Sequence, residues 1–297
     1  MLIDGKHVSK KILEQLKTEW TSFSKHHRAT SAPGLAFILI GNHAAPHTYV
    51  KMKQKTCHEL GIYSRVYALD SQVSQRELLD LIISCNHDPS IHGILVQQPV
   101  PAHLSEQTIL EAVDPRKDVD GFHPTNVGKL LLGFDDGFIS CTPYGILMLL
   151  KEYHVDLTGK NVVIIGRSNI VGKPLASLLV QKKPFCNATV TLAHSQTKNL
   201  EALTEQADVV VAAIGKPLFI KASMIKKGAV VIDVGINTIE INGQKKIVGD
   251  VDFDSVKEKA SLITPVPGGV GPMTIAMLMQ NLIKSYKSHL TGLKIKE

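Results

Sequence analysis

The chain has 297 residues, of which 44% are hydrophobic, 20% charged and 5% aromatic, with a formal net charge of +6. This length is sufficient for two domains, each with its own core. The basic residues are scattered and no aromatic residues alternate with them, which disfavours a nucleic-acid-binding protein. The positive net charge would attract a small anionic ligand. No apolar run approaches the roughly 20 residues of a membrane-spanning helix, so no membrane association is predicted.

The cysteines and the N-terminal segment indicate a cytoplasmic protein. Four cysteines lie far apart and form no C-x-x-C pair, which is typical of free thiols in a reducing compartment. The first 20 residues contain early acidic residues and no continuous apolar stretch, so they resemble neither a signal peptide nor a transit peptide.

Strands and helices alternate through the first half of the chain. An amphipathic helix stripe that ends at Trp20 precedes the buried strand "GLAFILIG" (34–41), and a helix is predicted from about 45 to 60. "SRVYALD" is then a strand, "SQRELLDLIISCNHD" a helix with a serine cap, and "HGILVQQPVP" (92–101) a third strand. This alternation predicts a parallel sheet, and residues 114–141 are predicted to form loops near a domain edge.

The pattern restarts after Lys160. "NVVIIG", "ATVTLA", "DVVVAAIG" and "AVVIDVG" are predicted strands, with helices after the first two. Such a β-α-β-α-β-β run with short connections is typical of a dinucleotide-binding Rossmann half. "TPVPGGVGPMT" is too rich in proline and glycine for a regular element, and an amphipathic helix is predicted from about 274 to 289.

The segment "VVIIGRSNIVGKP" joins a strand to a helix at the position of a phosphate-binding turn. Gly166 permits a sharp turn, and Gly172 lets the helix begin close to the sheet and to a phosphate. Ser168 fills the position of the second glycine of G-x-G-x-x-G, so the motif alone is of moderate specificity and a generic strand-turn-helix is the alternative.

The end of the next strand favours NADP over NAD. NAD-dependent enzymes place an acidic residue there to bind the ribose 2′-hydroxyl, but "TLAHSQT" offers no carboxylate. Arg167 and the hydroxyl of Ser195 are instead suited to a 2′-phosphate. The alternative is that Arg167 is simply a solvated loop residue.

Other chemical motifs are weak. His43 and His47 have the i, i+4 spacing of paired zinc ligands, but no third ligand is identifiable and Pro46 disturbs the turn, so no metal site is predicted. Neither a G-x-S-x-G elbow nor a G-K-[ST] phosphate loop is present, which disfavours hydrolases of the serine type and ATPases.

The stretch "TYVKMKQK" (48–55) contains three lysines and a tyrosine. Tyr49 and Lys53 fall on one helical face, whereas Lys51 and Lys55 point elsewhere. Taken alone, such a run is usually a solvated face. A Tyr-x-x-x-Lys pair is also the signature of short-chain dehydrogenases, but there it follows the dinucleotide loop, and here it precedes it.

The whole chain resembles the bifunctional methylenetetrahydrofolate dehydrogenase/methenyltetrahydrofolate cyclohydrolase family. The resemblance is carried, in the family's order, by "YVKMKQKTCHELGI", "GILVQQPVP", "DPRKDVDGFHP", "CTPYGI", "GRSNIVGKP", "TLAHSQT", "VIDVGIN", "GDVDF" and "TPVPGGVGPMT". One departure is Pro46, where the family usually has serine, and it raises a question about how the site helix begins.

The resemblance implies an α/β fold with two α/β domains around a cleft, the second of them a Rossmann-type dinucleotide-binding domain. Residues 1–140, joined by a C-terminal helix at 274–297, would form the folate-binding catalytic domain, and residues 141–273 the NADP-binding domain. It also implies a homodimer made through the Rossmann domains, with tetrahydrofolate derivatives as ligands.

The resemblance also assigns site residues. Lys53 would be the catalytic lysine, hydrogen-bonded by Gln97, and Asp120 would accept hydrogen bonds from the pterin. Tyr49 would stack on the aminobenzoyl ring, and Pro272 would contribute to the substrate site within the segment 267–274.

For the cofactor, the resemblance implies that Gly166, Arg167 and Ser168 line the phosphates. Ser195 would lie at the 2′-phosphate region, and the backbone of Ile236 at the nicotinamide amide. The expected reaction is oxidation of 5,10-methylenetetrahydrofolate followed by hydrolysis to 10-formyltetrahydrofolate. A dehydrogenase with weak cyclohydrolase activity and a non-catalytic NADP-binding sensor are the alternatives.

Overall fold

The structure is a computed structural model that describes residues 1–27, 31–41, 44–241 and 243–292. The backbone forms two compact units. The three-stranded unit contains Ile12–Ser140 and the residues from Leu278 onward, and the five-stranded unit contains Met1–Lys11 and Cys141–Met277. Both units have the predicted α/β architecture with parallel sheets.

The sheet of the three-stranded unit has the order β2–β1–β3, and both strand pairs are parallel. Every residue of the central strand β1 is buried, which explains its uninterrupted apolar sequence, whereas edge strand β2 alternates between more and less exposed residues. The elements that begin in this unit are β1 (Gly34–Ile40), α2 (Ala44–Glu59), β2 (Tyr63–Leu69), α3 (Gln75–His87), β3 (Gly93–Val96), α4 (Glu106–Ala112) and α5 (Pro124–Leu132).

Helix α3 begins at a capping box, as its sequence predicts. The Ser74 hydroxyl accepts a hydrogen bond from the backbone N–H of Glu77, and the Glu77 carboxylate accepts one from the backbone N–H of Ser74. The buried residues Leu78, Ile82 and Cys85 then pack into the core that lies against β1 and β3.

The sheet of the five-stranded unit has the order β10–β7–β6–β4–β5, with all pairs parallel. The order reverses at β4, because β5 pairs on one side of it and β6 on the other, and nucleotides bind at the carboxyl ends of strands at such a switch point. The elements are α6 (Cys141–Glu152), β4 (Asn161–Ile165), α7 (Gly172–Leu179), β5 (Thr189–Ala193), α8 (Leu200–Thr204), β6 (Val209–Ala212), β7 (Val230–Asp233), β8 (Asn237–Ile241), β9 (Gln244–Val248), α9 (Phe253–Val256) and β10 (Leu262–Ile263).

Two helices have residues in both units: α1 (Gly5–His26) and α10 (Val270–Thr291). The first eleven residues group with the five-stranded unit, which differs from the division expected from the sequence. The physical reason is main-chain pairing next to β10: the N–H of Ile3 donates to the carbonyl of Ile263 (2.9 Å), and the N–H of Ile263 donates to that of Met1 (3.1 Å).

The structure differs from the predicted elements in several details. Residues 114–141 are not all loop, because Pro124–Leu132 forms α5, which begins with proline after His123 and ends at the left-handed Gly133 (φ 76°). Helix α10 begins at Val270 within the segment predicted to be irregular, and Pro272 fits there because a first-turn residue needs no intrahelical N–H bond. The antiparallel hairpin β8–β9 was not predicted at all.

Among the described residues, no helix is long and apolar enough to cross a membrane.

His92 is a buried histidine that joins β1 to the beginning of β3. Its Nδ1 accepts a hydrogen bond from the N–H of Gly34 (3.0 Å), so this nitrogen must be unprotonated. The imidazole packs edge-on against Tyr286, with ring centroids 4.5 Å apart. Burial, followed by the nearby charges of His289 and Lys117, lowers the pKa of His92 from 6.5 to about 4. The folded protein therefore holds this ring in its neutral form.

We predict that His92 makes stability depend on pH between about 6.5 and 4. Since its pKa is lower in the folded state, the unfolded chain takes up the proton first as pH falls, and about 2 kcal/mol of the free energy of unfolding should be lost between pH 7.5 and 5. In His92→Asn, whose amide oxygen can replace Nδ1 as acceptor, urea unfolding should show a smaller loss over this range. The exposed His58→Asn is the matched control, and an equal pH dependence of His92→Asn and wild type would contradict the prediction.

Candidate active site

Lys53 is the buried member of the lysine run on α2. Its relative exposure is 7%, whereas Lys51 and Lys55 are exposed, and Lys55 lies 3.8 Å from Glu59 in a surface ion pair. The helix begins at Ala44, so Pro46 lies in its first turn, where proline is tolerated. The Pro46 departure from the family pattern is therefore compatible with a helix at this place.

Gln97 meets Lys53 from the end of β3. The Lys53 Nζ donates to the Gln97 Oε1 at 3.2 Å, which is the hydrogen bond that the resemblance implies. The Gln97 backbone N–H donates to the carbonyl of Ile38 (2.9 Å), and its Nε2 donates to the carbonyl of Gln98 (2.9 Å). Main-chain pairing with β1 thus fixes the backbone, and the Nε2 bond fixes which end of the amide faces the lysine.

Cys57 lies one helical turn after Lys53 and is fully buried, with its Sγ 3.7 Å from the Met279 Sδ. Burial raises the pKa of its thiol to about 12, against smaller opposing contributions from a backbone hydrogen bond and from Lys53. The thiol is therefore protonated at neutral pH and is a packing group beside the lysine.

Asp120 is half-buried in the loop between α4 and α5, and its neighbour Asp118 holds that loop in shape. One Asp118 oxygen accepts from the N–H of Phe122 (3.2 Å), and the other accepts from the N–H of His123 (2.8 Å) and the Nδ2 of Asn126 (2.8 Å). Burial raises the pKa of the Asp118 carboxyl, while these hydrogen bonds act in the opposite direction.

The same loop is anchored to β3. The N–H of Ile94 donates to the carbonyl of Lys117 (2.8 Å), and the Nζ of Lys117 is itself buried and donates to the carbonyls of Cys85 and Asp88. Sequence reasoning missed both Asp118 and Lys117. The signal was a run of charged residues around a single valine in "RKDVDGF". Charged side chains that are buried need hydrogen-bond or ionic partners.

Several predicted residues lie wholly or partly outside the described part of the structure. Tyr49 belongs to the helical backbone of α2, but its side chain and that of His47 are outside the described residues, and His43 is outside them altogether. Among the residues that the structure does describe, no cluster of three histidine, cysteine, aspartate or glutamate side chains could hold a metal ion.

The turn after β4 is built from backbone packed too closely for side chains. A Cβ on Gly166 (φ 128°) would lie 2.1 Å from the carbonyl oxygen of Ala213, and a Cβ on Gly172 would lie 2.0 Å from that of Gly166. Both positions therefore require glycine. This close approach of strand, turn and helix is what a dinucleotide-binding turn needs to bring main-chain N–H groups near a pyrophosphate, so the residues present fit such a cofactor.

Ser168 shapes this turn from within. Its exposed side chain accepts hydrogen bonds at Oγ from the N–H groups of Val171 (3.1 Å) and Gly172 (3.5 Å), while its carbonyl accepts from the N–H of Lys173 (3.1 Å). The hydroxyl therefore does for the start of α7 what an N-cap side chain does elsewhere.

Arg167 and Ser195 are exposed on adjacent turns, because β4 and β5 are neighbouring parallel strands. The N–H of Gly166 donates to the carbonyl of Ala193 (2.9 Å), which joins the two turns at their bases. Within the described ranges, no carboxylate forms an ion pair with Arg167. Both side chains are thus available at one edge of the sheet.

Ile236 and Pro272 lie in the five-stranded unit. Ile236 is 62% exposed, and the nearest atom to a Cβ placed on Gly271 would be the Ile236 Cδ1, at 3.8 Å. The carbonyl of Pro272 accepts a hydrogen bond from the Ser9 hydroxyl (3.0 Å). The glycine- and proline-rich segment at 267–274 and Ile236 are therefore neighbours within this unit.

Two buried carboxylates of the five-stranded unit, Asp233 and Asp250, were also missed. Asp233 ends the apolar strand β7, Asp250 lies two residues after β9, and both accept hydrogen bonds from loops at the carboxyl ends of the sheet. Burial raises the pKa of Asp233 to about 6, against the opposing contributions of the backbone donors. The sequence signal was an acidic residue within two positions of a glycine, in "DVG" and "GDV". The hydrogen-bond donors of the two carboxylates could not be predicted from it.

Comparison with known proteins identifies the family of the chain. Residues 3–120 match the family model of the tetrahydrofolate dehydrogenase/cyclohydrolase catalytic domain, and residues 140–290 match that of its NAD(P)-binding domain. The chain is 51% identical over 294 residues to the bifunctional protein FolD of Chloroherpeton thalassium, with 98% of this chain and 99% of the relative covered.

Two solved structures are similar along nearly the whole chain. The bifunctional FolD methylenetetrahydrofolate dehydrogenase/cyclohydrolase of Campylobacter jejuni is 52% identical, with a TM-score of 0.91 and coverage of 97% of this chain and 99% of that one. The Trypanosoma brucei dehydrogenase-cyclohydrolase, solved with NADP and an inhibitor, is 35% identical, with a TM-score of 0.91 and 97% coverage of both chains. The chain therefore belongs to the tetrahydrofolate dehydrogenase/cyclohydrolase family and is a bifunctional FolD enzyme of one-carbon metabolism.

Proposed function

We propose that Lys53, Gln97 and Asp120 form the folate site of this bifunctional enzyme, and that Lys53 acts chiefly in the cyclohydrolase step. The observation that carries the proposal is the buried Lys53 amine with its hydrogen bond to the Gln97 amide. Burying a lysine amine costs free energy unless polar groups bind it. The neutral amide of Gln97 accepts its hydrogen bond and orients the amine without adding a counter-charge.

Asp120 is proposed to bind the pterin ring of the substrate. A carboxylate offers two acceptors in one plane, which suits an edge that presents an amino group and a ring N–H. The hydrogen bonds of Asp118 to the backbone of residues 122–123 support this role, because they hold the loop that carries Asp120. Tyr49 is proposed to stack on the aminobenzoyl ring, and Pro272 to contact the substrate.

In the dehydrogenase step, 5,10-methylenetetrahydrofolate loses a hydride from its one-carbon bridge. NADP, when bound, supplies the acceptor for that hydride. The folate nitrogens stabilise the resulting methenyl cation, so the chain's own task is to align the substrate, and Lys53, Gln97 and Asp120 would do so through their hydrogen bonds.

In the cyclohydrolase step, water adds to the methenyl carbon, one carbon–nitrogen bond breaks, and 10-formyltetrahydrofolate forms with release of one proton. Lys53 is proposed to exchange protons with this water and with the departing nitrogen, while Gln97 keeps the amine in position.

We predict that Lys53→Gln separates the two activities. Loss of a proton-transferring group typically costs about 100-fold or more, so decay of 5,10-methenyltetrahydrofolate should fall by at least that factor, and NADPH formation from 5,10-methylenetetrahydrofolate should fall much less. Both are followed by absorbance. Lys55→Gln, on the exposed face of the same helix, is the matched control and should retain both activities. Wild-type rates in Lys53→Gln would contradict the proposed role.

We propose that Gly166, Arg167 and Ser168 bind the cofactor phosphates, that Ser195 and Arg167 favour NADP over NAD, and that the Ile236 backbone meets the nicotinamide amide. The support for NADP is the exposure of Arg167 and Ser195 on turns joined at their bases, with no acidic residue at the end of β5. A guanidinium and a hydroxyl favour a phosphate at this place, whereas a carboxylate would repel it.

Arg167→Ala should weaken NADP much more than NAD. Loss of a charge-assisted hydrogen bond to the 2′-phosphate should raise the dissociation constant of NADP by about tenfold or more, while NAD, which lacks that phosphate, should change little. Isothermal titration with each nucleotide measures the difference. Lys160→Ala removes an exposed positive charge at the opposite end of β4 and controls for net charge. Equal weakening of both nucleotides by Arg167→Ala would contradict the assignment.

We also propose a cytoplasmic homodimer, assembled through the five-stranded unit. The dimer is supported by the family resemblance and by exposed apolar side chains on this unit, including Val180, Phe219 and Ile247. The compartment is supported by four buried cysteines that form no disulfide. Sedimentation velocity at micromolar concentration should give twice the chain mass of 32.4 kDa, and a single-chain mass would contradict the dimer.

A further inference from the structure

Two buried carboxylates connect the loops at the carboxyl edge of the five-stranded sheet. Asp233 ends β7 and is 3% exposed, and Asp250 follows β9 and is fully buried. Neither belongs to the residues assigned above to substrate or cofactor. Two anions in the interior are costly unless each has several hydrogen-bond donors, so their partners indicate what they hold.

Asp233 holds the loop after its own strand to the segment that follows β9. One of its oxygens accepts from the N–H groups of Gly235 (3.0 Å) and Asp250 (2.9 Å), and the other accepts from the N–H of Val251 (2.9 Å). All three donors are backbone groups. The carboxylate therefore fixes main chain on two loops at once.

Asp250 extends the connection to a third loop. One of its oxygens accepts from the N–H groups of Ile214 (2.7 Å) and Gly215 (3.0 Å), which follow β6, and the other accepts from the Nδ2 of Asn237 (2.9 Å). Ile236 lies between two of the residues so held, Gly235 and Asn237.

Glycines leave the space that the two carboxylates occupy. A Cβ on Gly249 would lie 1.8 Å from an oxygen of Asp233, and a Cβ on Gly235 would lie 2.3 Å from an oxygen of Asp250. Gly249 immediately precedes Asp250 and makes room for Asp233. Gly235 lies two residues after Asp233 and makes room for Asp250. The backbone at the two glycines thus packs directly against the two carboxylates.

The loops so held adjoin the turn that fits the dinucleotide. The carbonyl of Ala213, immediately before Ile214, is the atom against which Gly166 packs, and the N–H of Ala213 donates to the carbonyl of Ile165 (2.8 Å). Dinucleotides bind at the carboxyl ends of strands on both sides of the switch point, here β4 and β6. A shift in residues 213–215 or 235–237 would therefore move the edge on which the cofactor rests.

We propose that Asp233 and Asp250 are positioning residues for the dehydrogenase reaction: they hold the backbone of residues 214–215 and 235–237 in the conformation that receives the nicotinamide half of NADP. The inference rests on the proposed function, since that places NADP at this edge. In this role the two carboxylates act through the backbone that they hold.

The bifunctional enzyme offers an internal test, because hydrolysis of 5,10-methenyltetrahydrofolate consumes no NADP. Asp233→Asn and Asp250→Asn should each raise the KM and the dissociation constant for NADP by about tenfold, since an amide presents donors where the carboxylate accepted them. Cyclohydrolase kcat/KM should stay within about twofold of wild type. Asp254→Asn, the same change at an exposed position nearby, is the matched control and should alter neither activity.

Asn237→Ala is the milder variant if either substitution of a buried carboxylate prevents folding. It removes one hydrogen bond from Asp250 at a half-exposed position, so it should raise the KM for NADP by about fivefold without changing the thermal unfolding midpoint. A purely structural role would instead lower the midpoint and leave the KM of the folded enzyme unchanged.

Wild-type affinity for NADP in all variants that fold, or an equal loss of both activities, would overturn the inference. Failure of the proposed function is seen separately, because it would appear as absent NADP binding in the wild-type titration before any variant is compared.

Discussion

Hydrogen bonds from backbone N–H groups to buried carboxylates hold the loops that carry or adjoin the proposed site residues in each unit. Asp118 receives them in the three-stranded unit, and Asp233 and Asp250 receive them in the five-stranded unit. Loops at strand ends have main-chain donors that no neighbouring strand can satisfy, and an ionised carboxylate accepts several of them with bonds stronger than those between neutral groups. The strands are held by regular main-chain hydrogen bonds, and these carboxylates hold the backbone of the loops next to them.

This arrangement separates the groups that hold the site from those assigned to its chemistry. Asp118 and Asp120 stand two residues apart, but the first is buried with its partners on its own loop and on α5, and the second is half-buried. A similar relation exists on α2, where Lys53 is buried against Gln97 while Lys51 and Lys55 remain in solvent. In both cases, residues of one type in one short segment have different environments because the fold turns them in different directions.

The sequence predicted most strands of both sheets, because central parallel strands such as β1, β4, β6 and β7 are largely apolar runs, but it missed the two-residue edge strand β10. It also placed Gly166 and Gly172 at a tight turn. It did not predict the hairpin β8–β9, whose residues are mostly polar and exposed, nor α5, whose proline and glycine residues were interpreted as loop signals.

Lys53 could be singled out only by resemblance, since a lysine run carries no local signal of which member is buried. Asp233 and Asp250 could not be assigned partners, because their donors lie on loops that only the folded sheet brings together.

The state of the cysteines has a practical consequence for anyone who wishes to label this enzyme. All four thiols are buried and form no disulfide, and burial raises the pKa of the Cys57 thiol to about 12. Alkylating reagents attack thiolates that solvent can reach, so the native thiols should react slowly while the fold is intact. A fluorophore or spin label could then be attached to a cysteine introduced at a chosen surface position without first replacing the four native ones, which keeps the packing of Cys57 beside the lysine undisturbed.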